Sequence, residues 1–273
     1  MSYLWLLPIG FLVGTFGTLI GAGGGFILIP VLIFLYPEET PDFITSLSLA
    51  VVFFNALSGS ITYAGMKRID YKSGFRFALA TIPGAILGSL SVSYIPRHLF
   101  DGIFGLLMMI MAIYLFSQNN EHKKTEDEKQ TGKSVTTRLL TDKEGHIYKF
   151  SFNRNYGIII SIFVGYLSSL LGIGGGIIHV PIMVQFLHYP VHIATATSHF
   201  ILSIMAFTGT ATNIISGKFS HGIYRTIYLS IGVLFGAQLG AILSKRIKGN
   251  FIIKGLAIAL GCAGLRIFLL SVN

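Results

Sequence analysis

The chain is organised around the stretch Leu19-Ile-Gly-Ala-Gly-Gly-Gly-Phe-Ile-Leu-Ile-Pro30. The same pattern returns in the second half of the chain as Leu170-Leu-Gly-Ile-Gly-Gly-Gly-Ile-Ile-His-Val-Pro181. Each glycine in a helix interior costs roughly 1 kcal/mol relative to alanine, so three in a row predict a broken helix or a close approach of two backbones. Because the pattern occurs twice, we expect two copies of one structural unit.

The composition excludes an ordinary soluble protein. Of the 273 residues, 52% are hydrophobic and only 11% are charged, and the mean hydropathy is +0.71. A soluble domain carries about 25% charged residues, so the sequence predicts an integral membrane protein whose main partner is the lipid bilayer. The net charge of +9 lies mostly between apolar segments, as in loops at a membrane surface, and does not indicate nucleic acid as a partner. The single cysteine, Cys262, excludes an internal disulfide and a multi-cysteine metal site, and we expect neither a metal nor a cofactor.

The apolar segments divide the chain into two transmembrane repeats and a linker. We place the first repeat at residues 1–116, a charged and solvated cytoplasmic linker at 117–153, and the second repeat at 154–273. Each repeat starts with a long apolar run that the glycines interrupt. As one helix this run would be about 50 Å long in a hydrocarbon core of roughly 30 Å, so we expect a helical hairpin. Three transmembrane helices follow each hairpin, and the predicted fold class is an all-α polytopic membrane protein with about eight apolar segments.

Basic residues predict how the repeats are oriented. The most basic turns of each repeat should face the cytoplasm. They contain Lys67, Arg68, Lys72 and Arg76 in the first repeat and Lys245, Arg246 and Lys248 in the second. Both sets can face the same side only if the repeats are inverted, which requires an odd number of crossings in each. A hairpin that returns to its starting side plus three spans has that parity, so we predict two inverted-topology repeats with both termini outside. Parallel halves are the alternative.

Two further patterns recur in both halves. The span after each glycine break, at residues 43–64 and 192–215, is rich in serine and threonine. Gly84 and Gly88 correspond to Gly236 and Gly240, and a Gly-x-x-x-Gly spacing permits close contact between two helices in a bilayer.

The placement of charge indicates the class of substrate. Every aspartate and glutamate lies in a loop or at the end of a segment, which argues against a cation pump and is compatible with an anionic or neutral substrate. Short helices that begin inside the bilayer near Phe26 and Ile177 would present unpaired N–H groups and the positive ends of their dipoles to a shared cavity. The sequence therefore predicts an oxyanion site at the two breaks. The alternative is that the glycines only permit a tight turn.

We expect the substrate to contact the backbone amides of both breaks and polar side chains of the spans that follow them. The candidate substrate-binding residues are Gly23, Gly24, Gly25, Thr45, Ser48, Asn55, Ser58, Gly174, Gly175, Gly176, Thr195 and Ser198. His179 and His199 can titrate near neutral pH and are candidates for proton coupling. For the hydroxyls, bonding to their own helix backbone is the competing interpretation, and for the two histidines it is helix packing.

Motifs of common enzymes are absent from the sequence. There is no Gly-x-x-x-x-Gly-Lys-Ser/Thr, no His-Glu-x-x-His and no Gly-x-Ser-x-Gly. The segment Gly21–Phe26 lacks the last glycine of a dinucleotide-binding motif and lies in an apolar span. We therefore predict that the protein is not an enzyme.

The paired Gly-x-Gly-Gly-Gly-x-x-x-x-Pro motif, with Thr45-Ser-Leu-Ser-Leu-Ala-Val-Val-Phe-Phe-Asn-Ala-Leu-Ser-Gly59 after its first copy, resembles the sulfite exporter TauE/SafE family of membrane permeases. The resemblance covers both repeats and omits the linker. It implies a multi-pass secondary transporter in the inner (cytoplasmic) membrane of a bacterium or archaeon, with sulfite, sulfoacetate or another organosulfonate as its small anionic substrate. The second half has Thr195-Ala-Thr-Ser-His199, where a histidine follows the Thr-Ser pair, and this puts the substrate and the coupling in question.

Two other functions are compatible with the same residues. One is a passive anion channel, and the other is a permease for a different small solute. The sequence also leaves open whether the chain forms a homodimer.

Overall fold

The computed structural model describes residues 3–117, 135–219, 222–244 and 250–272. In these ranges the chain forms ten α-helices and a two-stranded sheet. The helices are α1 (Leu6–Ile20), α2 (Gly25–Leu35), α3 (Pro41–Gly65), α4 (Tyr71–Ser91), α5 (Arg97–Ser117), α6 (Arg154–Leu171), α7 (Gly176–Gln185), α8 (Val191–Ile215), α9 (Ile223–Leu243) and α10 (Asn250–Val272). Short 3-10 turns precede α1 (Tyr3–Trp5) and follow α4 (Val92–Tyr94), and strands β1 (Val135–Thr141) and β2 (Ile147–Asn153) pair antiparallel between α5 and α6.

The helices have the lengths and compositions of a membrane protein. Within the described ranges, seven helical segments are long and apolar enough to cross a membrane. Shorter apolar helices are α2, α7 and the Leu260–Ser271 part of α10. The prediction of an all-α polytopic membrane protein is confirmed, and the β-hairpin is an addition to it.

Glycines break the first helix of each half, as predicted. Three glycines in each break have a positive φ, a left-handed conformation that strains any residue with a Cβ. The φ angles are +84°, +77° and +80° at Gly21, Gly23 and Gly24 and +68°, +80° and +72° at Gly172, Gly174 and Gly175. Helix α1 ends at Ile20 as expected, and α2 and α7 begin one residue before the predicted Phe26 and Ile177.

Each break reverses the chain, so that α1 with α2, and α6 with α7, forms a hairpin of one longer and one shorter helix. In the first half, the ring centroids of Tyr3, before α1, and Tyr228 of α9 lie 6.3 Å apart. The ring of Tyr36, just after α2, lies 4.1 Å from the guanidinium carbon of Arg225, which is about one turn from Tyr228 on the same helix. In the second half, Phe152 before α6 and Tyr189 after α7 have ring centroids 5.0 Å apart. The start and the end of each hairpin therefore lie at the same end of the bundle.

The most extensive helix contacts all join the two halves. Helix α1 packs on α9, α4 on α6 and α5 on α10, and α3 and α8 cross at the centre. The predicted glycine pairs produce two of these contacts. A Cβ on Gly84 or Gly88 would overlap carbonyl oxygens of α6, and one on Gly236 or Gly240 would overlap carbonyl oxygens of α1. The expected close helix contact at both Gly-x-x-x-Gly pairs is thus confirmed.

Ion pairs and hydrogen bonds tie the halves together at both ends of the bundle. The Glu39 end is defined by Glu39, Asp42, Lys218 and Arg225, where Glu39 pairs with Arg225 at 2.8 Å and Asp42 with Lys218 at 3.1 Å. The Asp70 end is defined by Asp70, Arg138, Asp142 and Tyr189. Here the Tyr189 hydroxyl donates to Asp70 at 3.1 Å. Burial, together with the Asp70 carboxylate, raises the pKa of the Tyr189 phenol, so the phenol stays protonated and remains a donor.

Helix α4 begins earlier than the sequence pattern predicts. The apolar run in this part of the sequence extends from Phe77 to Ile95, whereas α4 runs over Tyr71–Ser91. The Asp70 carboxylate accepts from the Ser73 amide at 3.2 Å and caps the helix, and the polar first turns carry no hydropathy signal. Pro83, which the sequence allows either as a kink or as the end of the first turn, lies well inside the helix.

The linker is not fully solvated, which corrects the prediction. Phe150 and Phe152 of β2 are 5% and 1% exposed and pack with Phe77 and Tyr189. Alternation along a short strand in a charged segment is a weak pattern, and the buried partners lie on other elements. The hairpin is therefore a docked part of the Asp70 end.

We predict that Asp142→Asn releases this hairpin from the helices. The Asp142 carboxylate accepts from the amides of Glu144 and His146 at 2.9 and 3.0 Å and pairs with Arg68 at 3.2 Å. Removing one partner leaves the Arg68 guanidinium charged and buried, which should cost roughly 3 kcal/mol. Deuterium uptake by the β1 and β2 amides should rise accordingly. Glu144→Gln is the control, because that side chain is 45% exposed and its pair is screened by water; equal uptake in the two variants would contradict the prediction.

The same carboxylate makes the docking sensitive to acid. Burial alone would raise the pKa of Asp142, but the His146 amide, the Arg68 guanidinium and the Glu144 amide together hold it below its ordinary value. A depressed folded-state pKa means that the stabilisation is complete above the unfolded value of about 3.9. The stabilisation is lost as the pH falls through the lower pKa of Asp142 in the folded protein. Deuterium uptake by the β1 and β2 amides, corrected for the intrinsic exchange rate, should therefore increase in strong acid in the native protein. It should not increase in Asp142→Asn.

Candidate functional site

The two glycine breaks lie against each other in the centre of the bundle. A Cβ on Gly25 would lie 2.5 Å from the Ile173 carbonyl oxygen, and one on Gly176 would overlap the Gly21 carbonyl oxygen. The contact is reciprocal, since each break uses the same position to touch the other. Only glycine allows the two backbones to approach this closely.

Helices α2 and α7 start at this contact with unpaired amides. The Gly176 amide donates to the Gly174 carbonyl at 2.9 Å, but three amides around the start of each helix have no acceptor among the described residues. These amides belong to Gly24, Gly25 and Phe26 in the first half and to Gly174, Gly175 and Ile177 in the second. The positive ends of two helix dipoles coincide with these donors. The arrangement supplies a concentration of N–H groups, and no cationic side chain of the described residues lies in either turn.

The turns are enclosed, and this differs from the predicted shared cavity. All residues of both turns are buried. Leu202 of α8 covers Gly23, and Val52 of α3 covers Gly174. A Cβ built on Gly174 would lie 2.5 Å from the Cγ1 of Val52. Because glycine has no side chain to hold the turns apart, the two backbones pack directly. Binding would require Val52 and Leu202 to move away from the turns.

Asn55 is the predicted polar side chain that the structure places best. It is fully buried, and its Oδ1 accepts from Thr18 at 3.0 Å. Its Nδ2 has no hydrogen-bond partner among the described residues and lies 3.3 Å from a Cβ built on Gly24. A buried donor without an acceptor is costly, so this amide is suited to a ligand.

Two serines and two threonines occupy matching positions around the turns. Ser48 donates to the Gly172 carbonyl at 2.7 Å, whereas the matching Ser198 hydroxyl is buried without a partner in the described chain. Thr45 donates to its own helix at Pro41, as in the competing interpretation. The Thr195 methyl group packs on the other turn, 2.7 Å from a Cβ built on Gly21. The Ser198 hydroxyl is therefore a buried donor that no group of the described residues accepts.

Ser58 is not brought to the turns by the structure. Its hydroxyl donates to the Leu234 carbonyl of α9 at 2.7 Å. The hydrogen bond is fully formed between two helices, so Ser58 contributes to helix packing. Its position on the hydroxyl-rich span did not distinguish the two roles.

The two histidines have different surroundings. His199 Nδ1 lies 3.3 Å from the Thr195 carbonyl, and its Nε2 has no partner among the described residues. Its ring meets the edge of Tyr63 with centroids 5.5 Å apart. His179 on α7 has its Nε2 3.4 Å from the Ser161 hydroxyl. His199 thus has a buried ring nitrogen that no group of the described residues contacts by a hydrogen bond.

Thr18 and Tyr63 lie beside Asn55 but are not among the candidates that the sequence pattern indicates. Thr18 donates to Asn55, and the Tyr63 hydroxyl donates to the Thr18 carbonyl at 3.0 Å. A signal was present, because Thr18 and Ser169 both stand three residues before the first glycine of their motif. The role of Tyr63 had no comparable signal, since the residue is not repeated in the second half.

Comparison with known proteins places the chain in a family. The sequence model described as sulfite exporter TauE/SafE matches residues 6–267. The chain belongs to this family. Among its relatives is the "Probable membrane transporter protein YunE" of Bacillus subtilis, which is 32% identical over 96% of this chain and 97% of its own length. A probable membrane transporter protein of Methanocaldococcus jannaschii is 28% identical over 97% and 96% of the two chains, and one of Haemophilus influenzae is 23% identical over 97% and 98%. No solved structure was found to match the chain.

Membership in the TauE/SafE family agrees with the fold. The protein is a multi-pass membrane transporter and not an enzyme, as predicted. The match spans both glycine breaks and every helix from α1 to α9 in full. The family's paired glycine motif therefore corresponds to the central contact between the two turns.

Proposed function

We propose that this TauE/SafE protein is a secondary transporter that moves a small sulfur-containing oxyanion across the cytoplasmic membrane. Sulfite, sulfoacetate and other organosulfonates are the proposed substrates. The observation that carries the proposal is the meeting of two helix N-termini, each with three amides that have no acceptor among the described residues. Such amides bind oxyanions through hydrogen bonds and the helix dipole.

The polar side chains at the turns match an oxyanion better than a cation. The Asn55 Nδ2 and the Ser198 hydroxyl are donors without an acceptor in the described chain. No carboxylate of the described residues lies at the turns. A sulfite or sulfonate oxygen would satisfy these donors, while a bare cation would find no anionic ligand there.

We further propose that the two halves are inverted and that transport alternates between the two ends of the bundle. The two chain ends of the first hairpin lie at the Glu39 end of the bundle, and those of the second lie at the Asp70 end. Opposite ends are what inverted repeats would require. We assign the Asp70 end to the cytoplasm, because Lys67, Arg68 and Lys72 lie there. The pairs that join the halves at each end would open alternately.

Proton coupling is a further part of the proposal, and His199 is its better candidate. Its free Nε2 faces Gly59 on α3, where a Cβ would lie 3.2 Å away. His199→Gln should make the sulfite flux insensitive to an imposed pH gradient while leaving exchange at equal pH. His179→Gln is the comparison, and loss of pH sensitivity in that variant alone would assign the coupling to His179.

Counterflow of labelled sulfite in proteoliposomes tests the proposed function. Vesicles preloaded with unlabelled sulfite should accumulate label transiently and saturably, because a carrier exchanges bound substrate. Sulfoacetate, sulfate and a neutral solute as trapped species would rank the substrates. The vesicles need no imposed gradient, so leak through damaged protein does not mimic the overshoot.

The outcomes of this experiment separate the candidate functions. Flux that rises linearly with concentration and shows no overshoot would establish an anion channel and overturn the carrier. Overshoot only with a neutral solute would keep the carrier and overturn the oxyanion. Protein-free vesicles and heat-treated protein are the controls.

A further inference from the structure

A second cluster of unpaired polar groups lies between the central turns and the Glu39 end. Asn213, near the end of α8, is fully buried, and neither its Oδ1 nor its Nδ2 has a partner among the described residues. The Ser169 and Thr210 hydroxyls are also buried without partners there. Buried polar groups usually have a hydrogen-bond partner, so this amide and these two hydroxyls have the capacity to bind a polar ligand or water.

Gly209 brings these groups together. A Cβ on Gly209 would lie 3.2 Å from the Ser89 Oγ and 3.3 Å from the Ser169 Oγ. Asn213 follows Gly209 by one helical turn and so lies on the same face of α8. The cluster is therefore lined by α4, α6 and α8, one turn away from the glycine break after α6.

The equivalent place in the first half is filled by protein. Gly59 occupies the position of Gly209, and Thr18 occupies that of Ser169. There the Tyr63 hydroxyl donates to the Thr18 carbonyl, and the His199 ring packs on Gly59. In the second half Asn213 stands at the position of Tyr63 and Met205 at that of Asn55, so the Ser169 hydroxyl has no counterpart of the bond from Thr18 to Asn55.

A cation stands at the outer side of this cluster. The Lys218 ammonium donates to the Ser89 carbonyl at 2.6 Å and pairs with Asp42 at 3.1 Å. The Lys218 amide donates to the Asn213 carbonyl at 3.0 Å. The lysine connects the Glu39 end, where Asp42 lies, to the buried groups.

We propose that this cluster is a staging site for the transported oxyanion on its path between the Glu39 end and the central turns. The proposal rests on the proposed function. The Asn213 Nδ2, the Ser169 and Thr210 hydroxyls and the Lys218 ammonium donate to the oxyanion. The Asn213 Oδ1 accepts from an O–H of a protonated oxyanion or of its hydration water. The site is distinct from the central turns and is present on one side only.

Equilibrium binding of labelled sulfite to the purified full-length protein in nanodiscs tests this site. The native protein should bind about two sulfite ions per chain, and Asn213→Leu and Ser169→Ala should each bind one. The half-saturating concentration for uptake from the Glu39 side should rise about tenfold in both variants, as expected for loss of a buried hydrogen-bond donor. Thr212→Val is the matched control, because that hydroxyl donates to the Thr208 carbonyl of its own helix at 2.9 Å.

Other results would overturn the staging site. If Asn213→Leu binds as many sulfite ions as the native protein and has the same uptake curve, the cluster holds only buried water. Asn213→Asp gives a second reading should the leucine variant fold poorly, because its carboxylate should repel the anion and abolish the same binding event. If the native protein binds and exchanges no oxyanion, the proposed function fails and the staging site fails with it. If both Asn213 variants exchange sulfite as the native protein does, the staging site is wrong and the proposed function still stands.

Discussion

Gly24→Ala and Gly175→Ala are each expected to reduce sulfite counterflow by about a hundredfold. The new Cβ must adopt a left-handed backbone, which costs about 1–2 kcal/mol. It must also enter a filled space, which costs about 1–3 kcal/mol more. At Gly24 it would lie 2.9 Å from Val13 Cγ1, and at Gly175 it would lie 2.6 Å from the Ser168 Oγ. Either shift would displace the amides that we propose as ligands, so exchange should fail even in protein that folds and inserts.

Two other glycines separate backbone strain from loss of the central contact. Gly217 has φ +72°, and no atom of the described residues lies within 4 Å of a built Cβ, so Gly217→Ala carries the strain without a clash with the described chain. Gly65 has neither constraint. Counterflow in Gly217→Ala should stay within about twofold of the native rate, and Gly65→Ala should match it. Native counterflow in Gly24→Ala or Gly175→Ala would show that the turns are only a structural hinge.

Asn55→Leu is expected to weaken substrate binding by about tenfold or more. The substitution keeps the approximate volume but removes the free Nδ2 and leaves Thr18 without its acceptor. A buried hydrogen-bond donor lost to a charged ligand is worth about 1.5–3 kcal/mol. The half-saturating sulfite concentration in counterflow should rise while the maximal rate changes less.

Ser58→Ala is the informative comparison for Asn55→Leu. Both residues lie on α3 and both were predicted from sequence to bind substrate, but the Ser58 hydroxyl donates to the Leu234 carbonyl. Ser58→Ala should lower the free energy of unfolding by about 1 kcal/mol. The half-saturating sulfite concentration should not change. If Ser58→Ala weakens binding as much as Asn55→Leu does, the site extends toward α9 and our placement of the substrate is wrong.

Local patterns in the sequence predicted the glycine breaks and most helix boundaries. Glycine runs and long apolar segments act over a few residues, so the break at Gly21 and the span of α8 are visible without knowledge of the fold. The Gly-x-x-x-Gly contacts at Gly84 and Gly236 were also predictable, because small residues at that spacing have few other uses in a bilayer.

Features that depend on distant partners could not be predicted in this way. The docking of Phe150 and Phe152 requires the aromatic surface of Phe77 and Tyr189, which comes from two other segments. The different roles of Asn55 and Ser58 depend on which helix faces each side chain. Sequence spacing placed both on one polar span and carried no information about their neighbours.

The pairing of helices across the two halves has a consequence for synthesis of the protein. Helix α1 packs mainly on α9, and α9 begins only at Ile223. At about 5–20 residues per second, the first hairpin therefore waits roughly ten seconds or longer for its partner while the ribosome continues. Neither half contains the contacts needed to complete its own packing, so a gene split in the linker should yield stable protein only when both fragments are made in the same cell.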